Sequence, residues 1–273
     1  VIRGSATLLV RPDAQGQHTL TPEQAGWAYV GFLVRRVAPQ QPFSFGTGGS
    51  EAAIVVLGGV VDVRSSVGEW PAVGRRRDVF DGLPFGLYLP PGTDVEVSSA
   101  EGAEIAVGLA RSDQTLPPRL IRPEEVAVEL RGQGNASRNI YHVILPEFPA
   151  HRLLVVEVLT PPGHWSSYPP HKHDEDRPPQ EVDLEEIYYH RQEPGQGFAV
   201  QRVYTDDRDL DETLTVGDGD LVLVPRGYHV VAQAYGYRGY YLNVLAGERR
   251  SMAGTDDAAH AWIRKSWTEG MAP

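Results

Sequence analysis

Leu221-Val222-Leu223-Val224-Pro225-Arg226-Gly227-Tyr228-His229-Val230 reads as an apolar strand, a tight turn from Pro225 to Gly227 and the start of a second strand. The first half of the chain carries the same pattern in Leu87-Tyr88-Leu89-Pro90-Pro91-Gly92-Thr93-Asp94-Val95, so that Pro90, Gly92 and Asp94 fall opposite Pro225, Gly227 and His229. Such a repeat predicts two similar β modules in tandem. Around it, Ala53-Ile54-Val55-Val56-Leu57-Gly58-Gly59 runs into Val60-Val61-Asp62-Val63 as further strand signal. The 29 glycines and 22 prolines punctuate short runs rich in Val, Leu and Tyr, which argues against a bundle of long helices. The fold class is mainly β.

Between the modules, Thr115-Leu116-Pro117-Pro118-Arg119 and Arg131-Gly132-Gln133-Gly134-Asn135 mark connection rather than core. The second module is expected to begin around Asn139, which divides the chain into 1–138 and 139–273. Helix signals are confined to Thr21-Pro22-Glu23-Gln24-Ala25, with a cap and a proline at the first helical position, and to Asp256 through Lys265.

At 273 residues, with 41% hydrophobic and 22% charged side chains, the chain can bury a substantial core. Its 36 Asp and Glu against 25 Lys and Arg leave a net charge of −11, a poor match for phosphate backbones or anionic membrane surfaces. No nucleic-acid or membrane partner is expected. With no cysteine, any metal must be held by histidine and carboxylate. Val1 to Val10 show no secretory leader, and no run approaches the ~20 apolar residues of a membrane span, so a cytoplasmic protein is expected.

The strongest chemical signal is Tyr168-Pro169-Pro170-His171-Lys172-His173. Residues two apart on a strand share a face, so His171 and His173 can aim both imidazoles at one centre. Glu186 opens the run Ile187-Tyr188-Tyr189, and His229 follows the Pro225 to Gly227 turn. Three imidazoles and a carboxylate suit zinc, manganese, iron, cobalt or nickel, with positions left open for a substrate if the ion is five- or six-coordinate.

These residues resemble the cupin superfamily, whose first motif carries His-x-His followed by Glu and whose second carries a later His after a Pro-x-Gly turn. The interval from His173 to Glu186 is longer than the usual cupin gap and contains Glu181, which leaves Glu181, Glu185 and Glu186 as candidates for the fourth ligand. Glu186 is expected, because the family Glu is followed directly by an apolar strand. Glu185 would then point to the opposite face, and Glu181 would sit in an inserted loop.

Longer strings narrow the resemblance. Trp165 through Asp174, Glu185 through His190, Gln201 through Arg208 and Val224 through His229 are similar to the 5-deoxy-glucuronate isomerases of myo-inositol catabolism, as are Gly26 through Phe32 and Leu153 through Val158. That bicupin family is related to the 4-deoxy-uronate isomerases of pectin breakdown. The resemblance implies two tandem double-stranded β-helix (jelly-roll) barrels and one divalent metal ion per chain. It further implies interconversion of 5-deoxy-D-glucuronate, a small deoxy-uronate, and 2-deoxy-5-keto-D-gluconate, by a homo-oligomer of at least two copies. Opposite the ligands the first module has Gly46-Thr47-Gly48-Gly49-Ser50-Glu51 and Asp94, so a second three-histidine site cannot be built there.

An aldose–ketose shift needs a proton moved between adjacent carbons, a stabilised enediolate and a gripped carboxylate. Period two places Tyr188 and His190 on the side of Glu186, and His190, with an ordinary pKa of ~6.5, is expected first as the base, with Tyr188 and Tyr241 next. Arg202, Lys172 and Arg226 are the candidates for the carboxylate. His142, His151 and His164 are expected in structural or exposed roles. Three other readings remain: the 5-keto-4-deoxyuronate isomerase reaction of the pectin pathway, a cupin dioxygenase, and a non-enzymatic sugar-binding bicupin.

Overall fold

The computed structural model describes residues 7–268. The outer ends of both predicted modules, 1–6 and 269–273, lie outside the described residues. Four antiparallel sheets stack in layers. The first barrel pairs a four-stranded sheet (Phe43–Gly46, Asp94–Ser98, Val61–Ser65, Gly68–Val73) with a six-stranded one (Arg119–Ile121, Gly86–Leu89, Ser50–Gly59, Ala103–Arg111, Val30–Val37, His18–Leu20). In the second, a seven-stranded sheet runs Leu9–Val10, Leu221–Val224, Glu185–Glu193, Arg238–Ala246, Leu154–Thr160, Arg138–Ile144, Ala127–Arg131. It faces a five-stranded sheet of Asp211–Val216, Ala199–Tyr204, Tyr228–Gln233, Trp165–Lys172 and Thr255–Asp256.

Strand periodicity sorts the core into three layers. Ile54, Val56, Leu87 and Leu89 fill the first barrel together with Val61, Val63, Val95 and Val97. Their neighbours Val55, Leu57 and Tyr88 turn the other way and meet Val155, Ile187, Tyr189, Leu242 and Val244 between the barrels. Beyond that interface Val156, Val158, Val222, Tyr188 and Tyr241 line the second barrel. The two central sheets are therefore buried on both faces, which is why Leu221-Val222-Leu223-Val224 and Ala53 to Leu57 read as continuous apolar runs rather than alternating ones. At the interface the sheets come so close that a Cβ on Gly108 would stand 2.8 Å from Val244 Cγ2.

Reciprocal carboxylates lock the barrels. Glu51 accepts the backbone N–H groups of His151, Arg152 and Leu153 at 2.8, 2.6 and 2.7 Å, and Glu185 accepts those of Ala28, Tyr29 and Val30 at 2.6, 2.9 and 2.8 Å. Between them Arg76 and Glu157 form a buried bidentate pair at 2.9 and 2.6 Å, to which Tyr240 donates at 2.8 Å.

Two boundaries differ from expectation. Leu9–Val10 and Ala127–Arg131 belong to the sheet of the second barrel, so a division at 138/139 does not separate the barrels. Arg131 to Asn135 belongs to a hairpin connection whose flanking residues Arg131 and Arg138 are paired, and Leu9 pairs with Val222, covering the edge of the Leu221–Val224 strand. Near the C-terminus Thr255–Asp256 is a short strand paired with Lys172 and His171, and the helix begins only at Trp262, running Trp262–Thr268. The helix Pro22–Ala25 forms as expected, with Thr21 and Gln24 closing a capping box and Gly26 ending it at φ 70. Among the described residues no helix is long and apolar enough to cross a membrane.

Candidate metal centre

Three strands of the second barrel bring the histidines and Glu186 together. His171 closes the Trp165–Lys172 strand directly opposite His229, and His173 follows just beyond its end. Glu186 projects from the facing sheet, where its neighbours are Val224 and Leu245. Gly227 makes the turn before His229 at φ 92; a Cβ there would lie 2.6 Å from the Tyr204 carbonyl. Its N–H donates to both oxygens of Asp174 at 2.8 and 2.9 Å, which ties the His229 turn to the residue after His173.

Each imidazole is oriented by the backbone. Nδ1 of His171, His173 and His229 lies 3.3, 2.9 and 3.1 Å from the carbonyls of Pro169, Leu184 and Gly227. A carbonyl only accepts, so Nδ1 carries the proton in each ring and Nε2 is left with its lone pair, as a metal-ligating histidine requires. Nε2 of His173 and of His229 then face the same Glu186 oxygen at 2.9 and 3.2 Å. Acceptors placed this closely need a cation between them. A proton can serve one pair, but His229 Nε2 is buried without a hydrogen-bond partner. Donor atoms about 2.1 Å from a shared ion lie about 3 Å apart when adjacent in its shell, so the separations fit a bound metal.

The ligand atoms of His173, Glu186 and His229 all lie within 4.8 Å of one another. His171 stands beside this trio, its ring 4.6 Å from that of His229 and 6.5 Å from that of His173. Strict strand periodicity would have aligned His171 with His173, but the strand ends at Lys172 and the two rings are tilted by 60°. Burial alone would raise the Glu186 pKa; the adjoining imidazoles of His173 and His229 outweigh it and hold the carboxyl down at about 2. Burial, then the neighbouring His229 and His173, push His171 well below the ordinary imidazole value. In His173 the tendency of burial to lower the pKa is overcome by Glu186, which raises it.

The barrel interior continues from the centre as a polar lining. Glu186, Tyr188, His190 and Gln192 alternate inward along one strand. Ser167 Oγ sits between the hydroxyls of Tyr188 at 2.9 Å and Tyr241 at 3.1 Å. Ser167 has φ 49, uncommon for a residue with a side chain, and lies where the pairing of its strand is irregular between Ser166 and His171. Tyr188 stands between the centre and His190, with ring centroids 5.7 Å from His229 and 6.0 Å from His190. His190 Nε2 donates to Gln201 Oε1 at 2.8 Å, and burial pushes its pKa down to about 4, so it is neutral at physiological pH. Burial, reinforced by the Glu186 charge, keeps Tyr188 protonated.

The three cations expected at the substrate carboxylate are already neutralised. Arg202 lies on the other face of the strand from Gln201 and Val203 and pairs with Asp211 at 2.9 and 2.8 Å; Arg226 pairs with Asp209 at 3.0 and 2.8 Å; Lys172 pairs with Asp206 at 2.6 Å. Period two already places Arg202 outside once Gln201 is inside, but the aspartates cannot be paired with these cations from spacing. Glu181, fully buried, accepts the N–H groups of Asp174 and Glu175 and organises the inserted loop, while Glu185 serves the barrel interface. His142, His151 and His164 bond to Glu129, Ser112 and the Ser137 carbonyl. In the first barrel Gly46 pairs with Asp94 where the second pairs His171 with His229. Among the described residues the trio of the second barrel is the single cluster arranged for a metal. Ser167, Gln201 and the buried Arg138 were not anticipated from sequence. For Arg138 the usable signal was its place two residues before the inward Ile140, at the expected end of the first module.

Fold and centre define a two-barrel cupin with a His/Glu cluster in one barrel that could hold a metal ion. The chain belongs to the KduI/IolB family, whose profile matches residues 8–263. It is 49% identical to the 5-deoxy-glucuronate isomerase of Geobacillus kaustophilus over 257 residues, which is 93% of each chain. The crystal structure of an IolB-like protein from Salmonella typhimurium LT2 superposes with a TM-score of 0.92 at 41% identity, over 94% of this chain and 99% of that one. The oxalate decarboxylase of Bacillus subtilis, a protein with Mn(II) centres, shares the fold alone, at 13% identity and a TM-score of 0.63 over 93% of this chain and 80% of that one.

Proposed function

We propose that this chain isomerises 5-deoxy-D-glucuronate to 2-deoxy-5-keto-D-gluconate in myo-inositol degradation. The observation that carries the reading is identity of 49% over 93% of both chains with a relative named for that activity. The polar interior of the second barrel supports it, since a hydroxylated acid needs hydrogen-bonding walls where the first barrel offers aliphatic ones.

His171, His173, Glu186 and His229 would hold one divalent ion, zinc or one of manganese, iron, cobalt and nickel. Such an ion would supply Lewis-acid polarisation of the carbonyl and neighbouring hydroxyl oxygens without any redox step. The reaction takes a proton from the hydroxyl-bearing carbon and returns one to the former aldehyde carbon, so atoms and electrons balance within the substrate. Tyr188 lies between the ligands and the rest of the interior and is protonated, so its hydroxyl can donate a hydrogen bond to an oxygen that gains charge. Ser167 links it to Tyr241, which gives protons a path along three hydroxyls. His190, expected as the base, stands behind Tyr188 and reaches the reacting carbons only through it; we assign it to positioning, with Gln201 fixing its ring.

On this reading the protein works in the cytoplasm as an assembly of at least two copies, without nucleic-acid or membrane partners. Val128 and Leu130, exposed on the outer strand Ala127–Arg131, favour assembly, and light scattering of the purified protein tests it. The activity is tested by proton NMR in D₂O under nitrogen, with metal-analysed protein and 5-deoxy-D-glucuronate. Loss of the aldehyde-derived signals and growth of a ketose, abolished by chelator and restored by metal, is expected. Conversion only of the pectin-pathway keto-deoxyuronate, or only with oxygen present, would overturn the assignment.

A further inference from the structure

We propose that Arg138 is the anchor for the substrate carboxylate, a role that rests on the isomerase reading. Arg138 is 3% exposed, yet no carboxylate lies within ion-pair distance of it among the described residues. Its Nη1 and Nη2 donate to the carbonyls of Ala136 at 3.0 Å and Tyr168 at 3.1 Å, and its Nε has no partner. The carboxylate acting on it from its own hairpin, Glu129, is taken by Arg131 and His142. A buried guanidinium without a counter-ion is costly, and this chain has carboxylates to spare. Arg76, equally buried, is paired with Glu157 through two hydrogen bonds. The unpaired charge of Arg138 is explained if its counter-ion arrives with the substrate.

Position supports this. Arg138 lies two residues before Ile140, which packs in the interior with Tyr188 and Tyr241, so it shares their side of the sheet. The adjacent strand places Thr160 beside it, one residue past the Asn139–Leu159 pair, and Thr160 Oγ1 is also buried without a partner. Ser166 Oγ is buried beside the Tyr241 hydroxyl. One guanidinium N–H and the Thr160 hydroxyl are thus free to donate to an anion, and guanidinium geometry suits a carboxylate. The centre, Tyr188, Tyr241 and Arg138 follow one another across the interior, with Tyr188 and Tyr241 ring centroids 4.8 Å apart. A uronate whose aldehyde end lies at the centre would direct its carboxylate towards Arg138.

The test compares 5-deoxy-D-glucuronate with its neutral uronamide, using metal-loaded wild type, Arg138→Met and Arg138→Lys. Kinetics are read as kcat and KM, and binding of each compound by saturation-transfer NMR. Wild type is expected to prefer the acid. Arg138→Met should lower kcat/KM for the acid about 100-fold, largely through KM, while changing that for the amide only a few-fold; Arg138→Lys should keep part of the preference. Equal losses on acid and amide, or an unchanged preference in Arg138→Met, would overturn the anchor. If Arg138→Met fails to retain metal or a native fold, Arg138→Lys decides: full retention of the wild-type preference or its uniform loss on both compounds overturns the proposal. A wild type that converts neither compound would overturn the isomerase reading alone, provided acid-selective binding persists and is lost in Arg138→Met. Absence of that binding preference would overturn the anchor as well.

Discussion

Where the second barrel pairs His171 with His229, the first pairs Gly46 with Asp94, and the interiors diverge from there. Val37, Ile54, Val56, Leu87, Leu89 and Ile105 fill the first with aliphatic side chains. In the second, the equivalent space holds Glu186, Tyr188, His190, Gln201, His229 and Tyr241, nearly all hydrogen-bonded. A barrel closed by dispersion and the hydrophobic effect needs no ligand to complete it. One that buries carboxylate, imidazoles and an unpaired guanidinium has spent stability on chemistry, and the aliphatic barrel supports it across a shared apolar interface.

The sharpest way to break this comparison is at the ligands. His229→Ala or His171→Ala should lose bound metal, read by elemental analysis, and lower activity by more than about 100-fold. Asp94→Ala at the corresponding place in the first barrel should leave both unchanged. Full metal occupancy in both histidine variants would remove the centre from the argument.

Next in size is the lock between the barrels. Arg76→Met leaves Glu157 buried and unpaired and should cost about 3–5 kcal/mol in urea unfolding, while Arg76→Met with Glu157→Leu should recover most of it. A cost below about 1 kcal/mol for the single variant would show that the interface does not depend on this pair.

The polar interior also gives the second barrel a pH dependence of its own. The folded His190 pKa of about 4 lies below its ordinary 6.5, so between those values the unfolded chain binds a proton that the folded chain refuses. The contribution is fully present above pH 6.5 and fades as pH falls towards 4, by about 3 kcal/mol in total. Unfolding of His190→Gln should show a shallower decline than wild type across this window; parallel curves would place the sensitivity elsewhere.

The smallest effect is expected at Arg202. Arg202→Gln removes an exposed pair with Asp211, worth less than about 1 kcal/mol, and should leave kcat/KM unchanged. A large rise in KM would return Arg202 to the substrate site and weaken the case for Arg138.

The repeat of Leu87 to Val95 in Leu221 to Val230 was enough to read two β modules, because turn chemistry and strand period are local properties of the chain. The inward set Glu186, Tyr188 and His190 was legible for the same reason. Edge pairing was not legible: Leu9 meets Val222 across more than two hundred residues. Nor was the ranking of His190 over Tyr188, since periodicity gives a face but no order of distance from a centre.

Charge state is where the sequence stopped. Arg202, Arg226 and Lys172 looked available, but Asp211, Asp209 and Asp206 occupy them, while Arg138 stood at the expected boundary between the modules. By itself the sequence determined the modules, the strand faces and the residue types at the centre, all set by near-neighbour sterics and alternation. Only the tertiary structure decided which buried charges are matched, Arg76 by Glu157, and which is not, Arg138, because burial and ion pairing depend on residues that only folding brings together.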